Sequence, residues 1–425
     1  MKIKNGKLVD GRIVDIAIES SKIKNIGELS LPVVGDEEID ATGLIVIPGV
    51  IDPHVHFRMP GGSHKEDWGH GSEAALRGGV TTVFDMPNTQ PPLTTRERLE
   101  EKRKIINNSN PRVQALFWFG ATPGNLDEIK AVKREPDVIG YKVFLSSASL
   151  DLLVIEDDDL RQIFKIAASS EKIVAIHPED EGRIRRNRSI CSYEPKISEH
   201  SVIRDVSVEV LAVRRVLRLA KETGCSVYFC HLSTSEAMEL ALEAKYAGRP
   251  VFIEVTPHHL TFDDEKLRGA KGGYFKMNPP LRDREEVDCL VEYVCRGYID
   301  TIGSDHAPHT RQEKENTKYD EVPSGVPGVE TLLPIMLNFV ATGKLSMERL
   351  VSLTSTNAAN IFGLASKGKI EPGYNADLVL IDPNHEWTIR NEGMATKCGW
   401  TPYDGMKVKG FPKVVIMGGK VVINR

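Results

Sequence analysis

The sequence predicts an α/β protein, a (β/α)8 TIM-like barrel with a small β-sandwich domain formed from the N- and C-terminal segments. Eight apolar, β-branched runs alternate with eight stretches of helical spacing, which is the pattern of parallel strands joined by helices. Several runs also end in metal-binding residue types, and a barrel of this kind carries its active site at the C-terminal ends of its strands. The runs are residues 44–57, 81–88, 113–121, 140–145, 172–177, 226–231, 251–259 and 300–306.

The stretches between these runs contain good helix formers, with apolar residues three and four positions apart. Each follows one run, so the order of strand and helix repeats eight times. The predicted helices are residues 72–78, 95–107, 126–135, 158–169, 207–223, 235–247, 284–296 and 329–341.

Both chain ends have a different sequence pattern, which predicts short strands in which apolar and polar residues alternate. These strands are residues 2–8, 13–18, 22–26, 377–382 and 413–417. We expect residues 1–50 and 366–425 to form one small β-domain beside a barrel of residues 51–365. The alternation alone does not establish which strand pairs with which.

The composition is that of a soluble enzyme. The chain has 425 residues, 40% of them hydrophobic. Its 55 lysines and arginines and 60 aspartates and glutamates give a net charge of −5, which does not favour binding to nucleic acid or membranes. Residues 1–6 contain no apolar signal core, and no run approaches the roughly 20 apolar residues of a membrane span. The six cysteines form no Cys-x-x-Cys pair. We therefore expect a cytoplasmic protein with reduced thiols.

Four histidines and an aspartate lie at the ends of the predicted strands. His54 and His56 are two residues apart, so their side chains lie on the same face of one strand. His177 and His231 each end another run, and Asp305 ends the eighth. Taken alone, the pair His54 and His56 is about equally well explained as hydrogen-bonded surface residues. A single buried histidine with a backbone partner would be the default explanation of His177 or His231, and a cap or turn residue would explain Asp305. Together, at one end of a barrel, they indicate a metal site.

Lys142 lies inside the apolar run Tyr-Lys-Val-Phe-Leu at 141–145. A lone lysine there can extend its amine to the surface. However, burial disfavours the ammonium form, and a neutral amine can add carbon dioxide to give a carbamate with two oxygens that bridge two cations. We therefore interpret Lys142 as a fifth ligand.

Imidazole, carbamate and carboxylate donors suit zinc. We expect two Zn²⁺ per subunit, bridged by carbamylated Lys142, with Asp305 as ligand and as general base and acid. Two such ions acidify a bridging water and polarise a carbonyl, which indicates hydrolysis or closure of a cyclic amide. The expected ligands are His54, His56, Lys142, His177, His231 and Asp305.

Seven segments, in this order, resemble the amidohydrolase superfamily and within it the dihydroorotases, part of its cyclic amidohydrolase branch. The segments are Asp-Pro-His-Val-His-Phe-Arg at 52–58, Asp-Met-Pro-Asn-Thr at 85–89, Tyr-Lys-Val-Phe-Leu at 141–145, Thr-Pro-His-His-Leu at 256–260, Met-Asn-Pro-Pro-Leu-Arg at 277–282, Asp-His-Ala-Pro-His at 305–309 and Gly-Tyr-Asn-Ala-Asp-Leu at 373–378.

The resemblance implies interconversion of L-dihydroorotate and N-carbamoyl-L-aspartate, a step of pyrimidine (UMP) biosynthesis. Arg58, Asn88 and His309 match the family's grip on the substrate carboxylate, and a guanidinium suits such a group because it donates two parallel hydrogen bonds. Standing alone, each would be explained as a surface ion pair, a turn residue or a loop donor. The resemblance also implies substrate contacts from further residues, namely His56, Asn278, Ser324 and Gly325.

The sequence departs from the family at Met59, where many relatives have an acidic residue, which puts the local loop contacts in doubt. Some bacterial relatives have aspartate in place of the modified lysine, whereas this chain has Lys142. The basic stretch 181–205 is interpreted as a solvated excursion in preference to an active-site rim, and His258 and His259 as residues that pack behind the ligands.

Other functions remain open at this point. An allantoinase or a dihydropyrimidinase would use the same metals on a ring that lacks the carboxylate, and would not need the Arg58 grip. A catalytically silent scaffold of the same fold would usually lose ligands, and all six are present here. We expect a small-molecule substrate and neither nucleic acid nor membrane as a partner. The sequence leaves open whether the chain forms a homo-oligomer or associates with aspartate transcarbamoylase.

Overall fold

The structure is a computed structural model that describes residues 1–28, 37–147, 149–191 and 194–425. Its strands fall into two separate sheets of eight strands each. The strands are β1 Lys2–Lys7, β2 Ile13–Glu19, β3 Lys22–Gly27, β4 Glu38–Asp40, β5 Ile45–Pro48, β6 Val50–Val55, β7 Val80–Asp85, β8 Gln114–Gly120, β9 Val138–Phe144, β10 Ile173–His177, β11 Val227–Phe229, β12 Val251–Val255, β13 Thr301–Ile302, β14 Leu378–Thr388, β15 Lys407–Met417 and β16 Lys420–Asn424.

The first sheet is the predicted barrel. Strands β6 to β13 pair in chain order and every pair is parallel. The two end strands approach each other through a parallel bridge between Val55 and His306, where the amide of His56 donates to the carbonyl of His306 at 2.8 Å. The barrel is therefore nearly closed, and the C-terminal ends of all eight strands lie around one mouth.

Each predicted helix is present within a few residues, and additional short helices lie in the loops. Asp205 and Asp283 cap two of the long helices by accepting from the backbone amides of Val208 and Glu286. The helices are α1 Trp68–Arg77, α2 Arg96–Ser109, α3 Leu126–Ala131, α4 Asp157–Ser169, α5 Glu181–Ile190, α6 His200–Ile203, α7 Val206–Thr223, α8 Ser235–Tyr246, α9 Arg284–Arg296, α10 Arg311–Lys314, α11 Leu332–Ala341, α12 Met347–Val351 and α13 Asn357–Ile361.

The second sheet joins the two ends of the chain, as expected. β5 pairs antiparallel with β14, with Val46 opposite Leu380, and the strand order is β16, β15, β14, β5, β1, β2, β3, with β4 paired to β1. A separate apolar cluster fills this part of the molecule and includes Ile3 and Ile16 from the N-terminal strands and Ile416 from β15. The domain limits at residues 50 and 365 stay a prediction.

One large apolar core lies between the barrel strands and the surrounding helices. Phe119, Val174 and Phe229 from the strands are fully buried in it, together with Leu160 and Leu332 from the helices. This packing fixes the strands, so that residues at their C-terminal ends are held at constant positions. None of the helices in the described residues is long and apolar enough to cross a membrane.

Candidate metal centre and substrate cavity

A cavity of about 450 Å³ opens at the C-terminal mouth of the barrel, and all six expected metal ligands line it. Each comes from the end of a different strand, except that β6 supplies two of them. The six are His54 in β6, His56 directly after it, Lys142 in β9, His177 at the end of β10, His231 after β11 and Asp305 after β13.

Asp305 lies between the two histidines of the first strand. Its Oδ1 atom is 3.2 Å from Nε2 of His54 and 3.1 Å from Nε2 of His56. The other nitrogen of His54, Nδ1, is 2.8 Å from Oε1 of the buried Glu254 in β12. Since Glu254 accepts from Nδ1, the Nε2 atom of His54 is directed into the cavity.

His177 and His231 form a second group on the opposite strands. Nδ1 of His177 is 3.0 Å from Nε2 of His231, while Nε2 of His177 is 2.7 Å from Oε2 of Glu179. Lys142 is fully buried in its unmodified form, and its amine donates to the thiol of Cys230 at 2.9 Å. The structure thus brings all six residues together around one space.

The protonation states of these residues fit a metal site. Burial lowers the pKa of His56 to about 4 and also lowers those of His177 and His231, so their imidazoles are neutral and keep a lone pair. Burial opposes a charge on His54 as well, but the carboxylates of Glu254 and Asp305 raise its pKa well above the usual value. Two buried carboxylates therefore face a place that favours positive charge, which is what a bound cation would supply.

Three residues at the mouth have backbone angles that L residues rarely adopt. The φ angles are 60° at Arg58, 35° at His231 and 44° at Asp305. Non-glycine residues in this left-handed region are strained, and such strain persists where the surrounding fold dictates it, often at functional sites. These bends turn the side chains from the strand ends toward the cavity.

The expected carboxylate grip is assembled on one wall. Nη2 of Arg58 lies 3.2 Å from Nε2 of His309, and Nε of Arg58 donates to the carbonyl of Pro308 at 3.2 Å. Oδ1 of Asn88 is 2.7 Å from Nδ1 of His56, which connects this wall with the metal-type cluster. All four side chains line the same cavity.

The remaining expected substrate contacts also lie at this cavity, with Ser324 and Gly325 directly beside His309. Asn278 lines the cavity, and its buried Oδ1 atom has no hydrogen-bond partner among the residues that the structure describes. The carbonyl of Ser324 accepts from Nε2 of His309 at 3.1 Å. Gly325 has φ 135°, and a Cβ there would lie 2.5 Å from the carbonyl oxygen of Ala307, so only glycine fits beside the cavity.

Two carboxylates that orient the histidines did not emerge from sequence reasoning. Glu179 follows His177 by two residues, and that His-x-Glu spacing was the signal that could have indicated it. Glu254 is 200 residues from His54 and is one carboxylate in an apolar strand, so no local pattern connects the two. Metal-binding histidines commonly require such partners, because the partner fixes the tautomer.

The interpretation of residues 181–205 as a solvated excursion is wrong for its C-terminal part. His200 and Arg204 are buried and line the cavity, and Arg204 donates to Glu179 behind His177. The helical part, α5, has exposed basic residues such as Arg185, as expected. Residues 192–193 of this stretch lie outside the described part.

His258 and His259 are buried, as expected for residues that pack near the site. His259 lies between Oγ1 of Thr256, at 2.8 Å from Nδ1, and the carbonyl of Pro279, at 3.1 Å from Nε2. Lys276 and Tyr319, which the sequence did not suggest, complete the cavity wall, and the amine of Lys276 donates to the carbonyl of Val322 at 2.6 Å.

Comparisons with known proteins show the family of this chain. The model of the amidohydrolase family matches residues 45–422. The chain is 37% identical to the dihydroorotase of Methanosarcina mazei, over 96% of this chain and 90% of that protein. It is 37% identical to that of Halobacterium salinarum, with 99% and 96% covered. It is 38% identical to that of Bacillus licheniformis, with 99% and 97% covered.

The fold matches solved structures over its whole length. The L-hydantoinase (dihydropyrimidinase) from Arthrobacter aurescens superimposes with a TM-score of 0.94 at 31% identity, covering 100% of this chain and 96% of that one. The D-hydantoinase (dihydropyrimidinase) from a Thermus species gives 0.90 at 30% identity, with 100% and 95% covered. The chain thus belongs to the amidohydrolase family and, within it, to the group that contains the dihydroorotases.

Proposed function

We propose that the protein interconverts L-dihydroorotate and N-carbamoyl-L-aspartate, the dihydroorotase reaction. The observation that carries the proposal is the pair Arg58 and His309, whose side chains meet 3.2 Å apart in the same cavity as six metal-type ligands. A cyclic amide can then react at the ligand cluster while its carboxylate is bound by the pair. The names of the similar curated proteins support the same reaction.

We further propose that His54, His56, Lys142, His177, His231 and Asp305 hold two zinc ions, with Lys142 carbamylated. The neutral buried imidazoles and the carboxylates facing His54 support this donor set. Bound zinc supplies a Lewis acid for the amide carbonyl and lowers the pKa of a bound water. Carbamylation would convert the buried amine beside Cys230 into an anion, which suits a cationic centre.

The protein's own residues have separate roles in this proposal. Asp305 takes a proton from the attacking water and returns it to the ring nitrogen as the carbon–nitrogen bond breaks. Its neighbours His54 and His56 support the ionised form, because burial alone would raise the pKa of Asp305 and the two histidines bring it well below the usual value. Glu179 and Glu254 hold the rings of His177 and His54 in place.

Arg58, Asn88 and His309 orient the substrate by its carboxylate, and Asn278 with the backbone at Ser324 and Gly325 contacts the ring. The unpartnered Oδ1 atom of Asn278 supports the ring contact, because a buried acceptor without a partner is costly unless a ligand supplies a donor. A cytoplasmic location and any assembly with itself or with aspartate transcarbamoylase stay predictions.

A hydantoinase or dihydropyrimidinase activity is the second candidate, because solved structures with those names share the fold over the full chain. A dihydropyrimidine ring has no carboxylate. With such a substrate, Arg58 and His309 would be left without an anion in a largely buried wall. The carboxylate grip therefore favours dihydroorotate.

One experiment tests the proposal. Purified protein, never exposed to chelator, is assayed for hydrolysis of dihydroorotate, dihydrouracil and allantoin, and its metal content is measured on the same sample. We expect about two metal ions per chain and a strong preference for dihydroorotate. Turnover of dihydrouracil or allantoin that equals or exceeds that of dihydroorotate would mean that the protein is a sister hydrolase. No activity on any of the three substrates in metal-loaded protein would mean that it is a catalytically silent scaffold.

A further inference from the structure

Lys65 makes a contact with the carboxylate grip that neither the sequence pattern nor the proposed ligand set uses. Its amine lies 3.0 Å from Nδ1 of His309 and 2.7 Å from Oε1 of Glu313. Glu313 is itself fixed, since its Oε2 atom accepts from the amide of Thr310 at 2.8 Å and from its hydroxyl at 3.0 Å. Lys65 is not among the described residues that line the cavity, so it can affect a bound substrate only through His309.

The chemistry of an ammonium group determines which nitrogen of His309 carries the proton. An ammonium has three donors and no acceptor, so Nδ1 can bond to Lys65 only with a free lone pair. On the other side of the ring, Nε2 lies 3.1 Å from the carbonyl oxygen of Ser324, which can only accept. Both contacts require the tautomer with hydrogen on Nε2.

The opposite tautomer would oppose both partners. A hydrogen on Nδ1 would point at the ammonium of Lys65, and the lone pair on Nε2 would face the carbonyl oxygen of Ser324. A doubly protonated ring is disfavoured too, because burial, Arg58 and Lys65 all lower the pKa of His309 well below the usual value. His309 is therefore a neutral ring whose one hydrogen lies on Nε2, where it is donated to the carbonyl oxygen of Ser324.

The Nε2 atom lies beside Arg58, whose Nη2 atom is 3.2 Å away. A guanidinium can only donate, so this contact alone would favour a lone pair on Nε2, against the contacts with Lys65 and Ser324. With hydrogen on Nε2, two N–H groups face each other here and no acceptor from the described residues lies between them. A carboxylate oxygen bound near both would accept from Arg58 and would share the Nε2 hydrogen of His309 with the carbonyl oxygen of Ser324. We propose that Lys65, held by Glu313, is a positioning residue that fixes His309 as the Nε2–H tautomer, so that the ring presents a hydrogen and not a lone pair to the substrate carboxylate. The proposal rests on the proposed function for the identity of that carboxylate.

The test combines a spectroscopic and a kinetic measurement on the metal-loaded protein. The variants are Lys65→Met, which removes the ammonium, and Lys65→Arg, which keeps a cationic donor. Lys397→Met is the matched control, since the amine of Lys397 makes a similar ion pair with Oδ2 of Asp67 at 2.7 Å on the surface. The tautomer of His309, one of 12 histidines, is read from ¹⁵N chemical shifts in histidine-labelled protein, with His309→Gln identifying the signal.

We expect the Nε2–H tautomer in the wild type, in Lys65→Arg and in Lys397→Met, and its loss or mixing in Lys65→Met. The KM for dihydroorotate should rise about tenfold in Lys65→Met, with kcat changed much less, because one hydrogen bond to a charged group is weakened. Lys65→Arg should restore most of the affinity, and Lys397→Met should match the wild type.

Several outcomes would overturn the proposal. An Nδ1–H or doubly protonated ring in the wild type would do so directly, even if Lys65→Met failed to fold. So would an Nε2–H tautomer that survives in Lys65→Met, or a changed tautomer with an unchanged KM. The tautomer is observed without any substrate, so the absence of dihydroorotate turnover in the wild type would reject the proposed function alone.

Discussion

Nδ1 of His177 lies 3.0 Å from Nε2 of His231, and both rings are buried. Glu179 accepts from the other nitrogen of His177, so the Nδ1 atom bears the lone pair. A hydrogen on Nε2 of His231 could be donated to this lone pair, but the Nδ1 atom of His231 would then have no partner among the described residues. A cation between the two rings would instead accept the lone pairs of Nδ1 of His177 and Nε2 of His231.

Substitution of His177 should therefore remove metal. In His177→Asn, we expect metal analysis to find about one ion per chain where the wild type holds about two, with most of the activity lost. His385→Asn, at an exposed histidine, should keep the wild-type metal content. Full metal loading of His177→Asn would exclude His177 from the centre.

Lys142→Ala should lose both activity and metal, because it removes the amine on which the bridging carbamate is proposed to form. Acetate or propionate in the buffer should restore part of each by supplying a carboxylate to the vacated space. Lys142→Arg should not respond, since a guanidinium fills the space and offers no oxygen. Normal turnover by Lys142→Arg would contradict the carbamate.

Asp305→Asn should fold normally and lose about 10²–10⁴-fold in kcat, the usual contribution of a general acid and base. Asp305 is also a proposed ligand, so metal content must be measured on the same preparation. A fully loaded variant with an undiminished rate would exclude Asp305 from proton transfer.

Arg58→Lys keeps the charge but loses the two parallel hydrogen bonds to a carboxylate. We expect kcat/KM for dihydroorotate to fall about 10- to 100-fold, and any slow activity on dihydrouracil to stay unchanged. Arg185→Lys, at an exposed arginine paired with Glu181, is the control. An equal decrease in kcat/KM for both substrates would mean that Arg58 does not bind the carboxylate.

Glu330 should make the stability depend on pH. Burial raises its pKa to about 7 from 4.5, although Arg77 and Arg425 oppose the shift. The folded protein thus holds this proton more tightly than the unfolded chain does. The resulting stabilisation is complete below pH 4.5 and is lost as the pH rises through about 7.

Glu330→Gln cannot ionise and can still accept from the amide of Ala395, which lies 2.8 Å from Oε2 in the wild type. At pH 8 its free energy of unfolding should exceed that of the wild type by up to about 3 kcal/mol, with little difference at pH 4. Exposed Glu392→Gln should follow the wild type in thermal melts. Identical pH dependence of Tm in Glu330→Gln and the wild type would refute this assignment.

The barrel could be predicted because each strand is a continuous apolar run whose last residues can be identified in the sequence. His177 and Asp305 lie at the ends of such runs, so they could be placed at the mouth. Glu254 and Lys65 could not, since each contacts a histidine far away in the chain, and only the folded barrel brings the pairs together. Arg204 resembled its solvated basic neighbours, and only its contact with Glu179 distinguishes it.

The pairing of β5 with β14 has a consequence for biosynthesis. β5 ends at Pro48, directly before the strand that carries His54, whereas its partner begins at Leu378, after the last barrel strand. All eight barrel strands are therefore synthesised before that partner emerges from the ribosome. The strand that carries His54 remains without this outer support until then, and pairing over so long a separation is slow. We accordingly expect the proposed metal centre to form only after β14 has been synthesised.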